Sequence, residues 1–273
     1  MTSPLFLEID DAGLRYQIDG TGNTTIVLIH EMGGSLESWD RFVPLITDKM
    51  KVLRFYMRGF GLSSKVRGSH NIDRIVDDLV ALLEHLNIRQ AHVVGMAVGG
   101  AVATRFAICH PTRTASLTAI GPALGIAPAK REAIRSRADL IEQNGMAGIV
   151  DEELALSYPV ELRDDNALLS YRARWLGNDP SSYAATYRML ASLDMLQSIS
   201  SIQCRSLFLA GTLDPLRPPD MIEPLARVVP NAKFKAIWSG HVMAWQSPRL
   251  LHQETSSFWN EVHTSTQPHG ALP

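Results

Sequence analysis

Val93-Val94-Gly95-Met96-Ala97-Val98-Gly99-Gly100 is the stretch on which the reading of this chain turns. An apolar run over residues 91–95 precedes it and reads as a strand; residues 98–110 follow with helical character and are halted by Pro111. A tight turn joining a strand to a helix, with glycine two residues either side of its centre, lifts the central residue clear of the backbone, and the flanking glycines permit the close backbone approaches this needs. Such a corner presents a nucleophile. Its central residue here is Ala97, a serine less one oxygen, so the turn is kept and the attacking atom is absent. Taken alone, the stretch also reads as an ordinary turn with small residues for packing.

Working outward, β-rich runs alternate with helical patterns, the signature of a sheet covered by helices. Residues 5–9 and 14–18 predict an opening hairpin, and residues 25–30 are almost unbroken apolar sequence, as in a central parallel strand buried on both faces. Residues 51–56 predict another strand. Ile72, Ile75, Val76, Leu79, Leu83 and Leu86 then recur at helical spacing. A strand at 115–120 closes this half. Between 122 and 199 the strand signal disappears and charged helical stretches (129–144, 167–175) take over, which predicts a helical cap. Alternation returns with strands at 206–211 and 233–238, a helix at 219–228 between them and a last helix over 247–262. The expected organisation is one α/β core (1–121 and 200–262), a cap inserted at 122–199, and a loose polar tail at 263–273.

Two further residues follow Ala97 in the order nucleophile, acid, histidine. Asp214 follows the strand at 206–211 in Gly211-Thr212-Leu213-Asp214, and His241 follows the strand at 233–238 in Ser239-Gly240-His241. Both positions lie past the carboxyl ends of strands, where sites in open α/β sheets form. An aspartate there would hold the histidine's tautomer, and the histidine would act as base and then acid. Directly after the buried strand at 25–30 comes Ile29-His30-Glu31-Met32-Gly33-Gly34, the turn expected to aim backbone N–H groups at a developing oxyanion, with Met32 and Val98 as donors. With the base assigned to His241, His30 is read as structural.

Composition narrows the function classes. The 273 residues carry a formal net charge of −2, which leaves no basic surplus to track nucleic acid or an acidic bilayer. The longest apolar runs fall far short of the ~20 residues that span a membrane, and the first residues lack a charged, then apolar leader. A cytoplasmic protein with a small-molecule partner is the expectation, with a homodimer left open. The two cysteines, Cys109 and Cys204, form no disulfide framework or metal spacing and read as buried small side chains.

Together these residues resemble the α/β-hydrolases, and within them the 3-oxoadipate enol-lactonase-like branch, through about 26–262. The likeness rests on His30 with Gly33-Gly34, Trp39, Met57-Arg58-Gly59-Phe60-Gly61-Leu62-Ser63, the stretch around Ala97, Asn144-Gly145-Met146-Ala147, Gly211 with Asp214, and Gly240-His241. It implies an α/β-hydrolase fold, a mostly parallel sheet with flanking helices and an inserted helical cap. It also implies hydrolysis of a small ester, lactone or related carbonyl substrate through an acyl-enzyme, without a cofactor or metal. Three positions depart from the family: serine is usual at Ala97, glycine at Glu31 and aspartate at Tyr56.

Glu31 reads as a surface acid, or as a carboxylate that pairs with an arginine or serves in substrate binding, and Tyr56 as lining the pocket or packing under it. Tyr158, Tyr171, Trp175, Tyr183, Tyr187 and Met189 of the cap are natural pocket lining. Arg172, Arg174 and Arg188 are candidates to bind a substrate carboxylate. Three functional readings stand at this level: a serine-type hydrolase whose nucleophile is replaced by Ala97 and which is therefore inactive as it stands, a binding protein that keeps the pocket without turnover, and a cofactor-independent enzyme driven by His241 alone.

Overall fold

A computed structural model describes residues 5–9 and 11–266. Eight strands, β1 (Leu5–Ile9), β2 (Ala12–Asp19), β3 (Thr24–Ile29), β4 (Met50–Phe55), β5 (Ala91–Met96), β6 (Thr114–Ile120), β7 (Ser206–Gly211) and β8 (Ala232–Ile237), form one sheet in the order β1-β2-β4-β3-β5-β6-β7-β8. β2 is antiparallel to β1 and β4, and every pairing from β4 to β8 is parallel. Helices α1 (Ile72–His85), α2 (Val98–Cys109), α7 (Pro219–Arg227), α8 (Met243–Gln246) and α9 (Pro248–Thr266) accompany the strands, while α3 (Pro128–Asn144), α4 (Val150–Ser157), α5 (Asp165–Leu176) and α6 (Pro180–Ser192) stand between β6 and β7.

Local chemistry explains the elements. Ile26, Val27, Leu28 and Ile29 of β3 are all fully buried, as both faces of a central parallel strand are covered. Helix α1 starts where the Asn71 side chain accepts from the Arg74 N–H at 2.9 Å, and it turns Ile72, Ile75, Val76, Leu79, Leu82 and Leu83 into the core. Full burial of each such side chain is worth about 1.5–3 kcal/mol. In the loop after β4, Arg58 grips the buried Asp78 of α1 through two hydrogen bonds of 2.7 and 2.6 Å. Ser63 closes the same loop by donating to the Tyr56 carbonyl at 2.7 Å and accepting from the Arg15 N–H at 2.9 Å.

Register fixes where chemistry can occur. Ile29 lies beside Phe55 and Gly95, Met96 beside Ile120, Ile120 beside Leu209, and Gly211 beside Ile237. The loops carrying His30, Ala97, Asp214 and His241 therefore leave the sheet along one carboxyl edge. Two expectations need correction. The last helix runs on to Thr266, so residues 263–266 belong to α9, and 267–273 lie outside the described residues. Cys109 ends α2 on its solvent side and is exposed, while Cys204 is only half buried. No helix among the described residues is long and apolar enough to cross a membrane.

Candidate active site

Ala97 occupies the corner between β5 and α2 at φ 50°, ψ −113°, a conformation that L side chains rarely adopt. Main-chain bonds hold it there: its N–H donates to Ile120 O at 2.9 Å, and its carbonyl accepts from the N–H groups of Ala101 and Ala123 at 3.1 and 3.0 Å. Gly99 is required by the close approach of this corner to β3. A Cβ on it would fall 2.4 Å from the carbonyl oxygens of both Ile29 and His30. The turn thus stands without any contribution from the side chain at 97.

Asp214 and His241 meet at the same edge. The loops that carry them are tied by Thr212 N–H to Ile237 O (2.9 Å) and Leu213 N–H to Ser239 O (3.0 Å). The His241 Nδ1 lies 2.8 Å from Asp214 Oδ2, while Asp214 Oδ1 accepts from the N–H groups of Leu216 and Arg217 at 2.9 and 3.1 Å. Burial alone would raise this carboxyl, but the imidazole and the two main-chain donors outweigh it and hold it below the usual carboxylate range. An ionised Asp214 accepts, so Nδ1 carries the imidazole proton and Nε2 presents its lone pair. Nε2 makes no hydrogen bond among the described residues, and His241 and Ala97 line one cavity.

The turn after β3 is built for close backbone presentation. Gly33 sits at φ 73°, and a Cβ on it would fall 2.3 Å from the Trp175 indole of α5. The Asn178 amide donates to the Gly33 carbonyl at 3.0 Å. His30 is fully buried beneath the turn: its Nε2 accepts from the Met57 N–H at 3.1 Å, so Nδ1 holds the proton and donates to the Glu31 carbonyl at 2.7 Å. Burial pushes this imidazole down to about 4 and keeps it neutral. Among the described residues neither the Met32 nor the Val98 N–H has a protein acceptor. Both residues line the cavity.

That cavity, about 460 Å³, is walled mainly by apolar and aromatic side chains. Tyr171, Trp175, Tyr183 and Tyr187 belong to its wall; Tyr158 and Met189 do not. Tyr187 also donates to Glu153 at 2.8 Å. The other candidates stand elsewhere. Glu31 is 1 % exposed, neither a surface acid nor a cavity residue; it turns beneath the turn after β3, where Oε1 accepts from Ser38 at 2.8 Å and Tyr171 at 3.1 Å. Burial raises its carboxyl against those two donors and the nearby Arg174. Tyr56 packs under the loop after β4 and donates to Glu37 at 2.9 Å. Arg172 pairs with Asp151 at 3.0 Å, and Arg188 with Asp139 and Glu142, all at the surface. Arg174 lays its guanidinium 4.2 Å from the Trp245 ring centre. None of these three arginines lines the cavity.

The cations that do line it are Lys130, Arg137 and Arg217. Arg137 is neutralised by Glu152 and Glu153 at 3.1 and 2.7 Å. Arg217 has no ion pair among the described residues; burial lowers its guanidinium, and Asp214 only partly compensates. The signal for Arg217 was its place three residues after Asp214. Arg137 could have been found from its place one helical turn after Ile134, which shares the cavity wall.

An elbow at the carboxyl edge of a mostly parallel sheet shares one cavity with the imidazole of an Asp–His pair and with two residues whose N–H groups have no acceptor among the described residues, the arrangement of a hydrolase-type α/β protein. The chain belongs to the alpha/beta hydrolase fold family, which it matches over residues 24–248. It is 27 % identical over 255 residues to a putative carbamate hydrolase RutD of Caulobacter vibrioides, covering 90 % of this chain and 95 % of the relative. It is 26 % identical over 253 residues to 3-oxoadipate enol-lactonase 1 of Acinetobacter baylyi, covering 91 % and 94 %. Among solved structures, the enol-lactonase of Burkholderia xenovorans LB400 superposes with a TM-score of 0.88 at 23 % identity, covering 94 % of this chain and all of that one. A thermophilic esterase of Thermogutta terrifontis gives 0.89 at 24 %, covering 96 % and 100 %. At these identities the structural likenesses concern the fold.

Proposed function

We propose that this chain is a serine-hydrolase-type protein for small carboxylic esters, lactones or related carbonyl substrates, with Ala97 in the nucleophile's place, so that acyl transfer is absent in the chain as it stands. The observation that carries this reading is the 2.8 Å bond from Asp214 to an imidazole that faces the same cavity as the strained Ala97 corner. In this reading the substrate carbonyl oxygen takes the N–H groups of Met32 and Val98, His241 is the base, Asp214 holds its tautomer, and residues 122–199 act as the cap. Arg217, a half-buried cation on the cavity wall without an ion-pair partner among the described residues, favours substrates that also carry a negative group.

Ala97→Ser tests the reading. The variant is expected to hydrolyse p-nitrophenyl acetate and small lactones at least about 10³-fold faster than the chain as it stands, the scale on which triads depend on their nucleophile. A folded variant silent across short-chain esters, γ-lactones and δ-lactones would overturn it.

A further inference from the structure

The chain as it stands holds a base with nothing of its own to deprotonate. His241 Nε2 presents a lone pair to the cavity, its ring fixed from behind by Asp214 at 2.8 Å, and the side chain at the elbow is a methyl group. Met32 and Val98 line the same cavity, and their N–H groups have no acceptor among the described residues. A base and two oxyanion donors on one cavity are the parts needed to remove a proton α to a carbonyl.

We infer that the unaltered chain carries a carbon-acid activity, in which His241 takes the α-proton of a bound carbonyl compound and the Met32 and Val98 N–H groups hold the enolate. The step balances within the site. The Nε2 lone pair accepts the α-hydrogen as a proton; the C–H pair becomes the C=C bond, and the carbonyl π pair moves onto oxygen. Return of a proton from the imidazolium to carbon regenerates the carbonyl, so no oxidant, reductant or co-reactant is consumed. The inference rests on the reading above that a carbonyl compound occupies this cavity.

One alternative use of the same base is activation of a water for direct attack on an ester. A water held beside Ala97 needs two to four polar partners. With the carbonyl oxygen engaging both N–H groups, such a water would have Nε2 and the indole N–H of Trp175, which lines the same cavity without an acceptor among the described residues, while the Tyr171 hydroxyl is already committed to Glu31. A C–H proton needs Nε2 alone. Carbon and water thus compete for one lone pair, and exchange without hydrolysis tells the first from the second.

The experiment incubates the unaltered protein in D2O with 2-pentanone, which has no leaving group, and with γ-butyrolactone, and follows loss of the α-proton signals by NMR. Exchange at least about tenfold above buffer is expected, falling to the buffer rate in His241→Gln and His241→Ala, and in Asp214→Asn, whose amide no longer holds the imidazole tautomer. Circular dichroism of each variant establishes that it is folded, and any one folded variant suffices. Exchange at the buffer rate in the unaltered chain overturns the inference; if Ala97→Ser then hydrolyses esters, the hydrolase reading stands and the carbon-acid activity alone falls. Exchange that survives loss of His241 overturns it equally. So does His241-dependent lactone hydrolysis without exchange, which would show the base working on water.

Discussion

At position 97 the protein tolerates a conformation that alanine resists. A glycine there would relieve the positive φ, so Ala97→Gly is expected to raise stability by about 1 kcal/mol, read as a higher urea midpoint. Glu31 poses the opposite problem, because its carboxyl is buried among donors. Glu31→Ala leaves the Ser38 and Tyr171 hydroxyls unpaired and should cost about 1–3 kcal/mol, while Glu31→Gln, which keeps an acceptor oxygen, should lose much less. Equal losses in the two variants would show that the hydrogen bonds matter little. Asp214 and His241 were legible in the sequence because each follows a strand by a short loop, Asp214 after an apolar one and His241 after one that alternates lysine with apolar residues. Glu31 was not: its burial depends on Tyr171, 140 residues away, a contact no local pattern reveals.

Among the elements, the junction of β5 and α2 is the most constrained. Gly99→Ala would drive a methyl group to 2.4 Å from two carbonyl oxygens of fixed backbone, and is expected to destabilise by about 3 kcal/mol or more or to prevent folding. Gly177→Ala, at the end of α5 where a Cβ meets nothing nearer than 3.4 Å, should change the thermal midpoint little, and a similar loss at both sites would refute the steric account. The strands and α1 were readable because burial on a sheet imposes a period or an unbroken apolar run. The helices between β6 and β7 were readable as helices but not as faces. Charged and aromatic residues alternate around α5 and α6, so spacing could not separate Arg172 and Arg188, paired at the surface, from Tyr171 and Tyr187 in the cavity wall.

For the whole molecule, pH sets stability through histidines kept neutral. Burial lowers His30, His70 and His92 from 6.5 to about 4, with Arg58 adding to the effect at His70 and His263 at His92. These folded values lie below the unfolded one, so the stability involved is fully present above about pH 6.5. It is lost as pH falls toward 4, because the unfolded chain takes protons that the fold refuses. Each histidine contributes about 1 kcal/mol per pH unit within that window. Glu31 and Asp78, raised by burial, run the other way and temper the loss. Urea midpoints should therefore drop between pH 7 and 5.5, and a flat profile would contradict the neutral assignment.

The corner at 97 is shaped by bonds from its own amide and carbonyl to Ile120, Ala101 and Ala123, none of which consults the side chain. It forms a socket whose fitting can be exchanged: serine would seat an alkoxide precursor and cysteine a thiol, each on the wall of the cavity that His241, Met32 and Val98 also line. On the two readings proposed above, one codon would stand between a proton-transfer scaffold and an acyl-transfer enzyme, with no redesign of the frame.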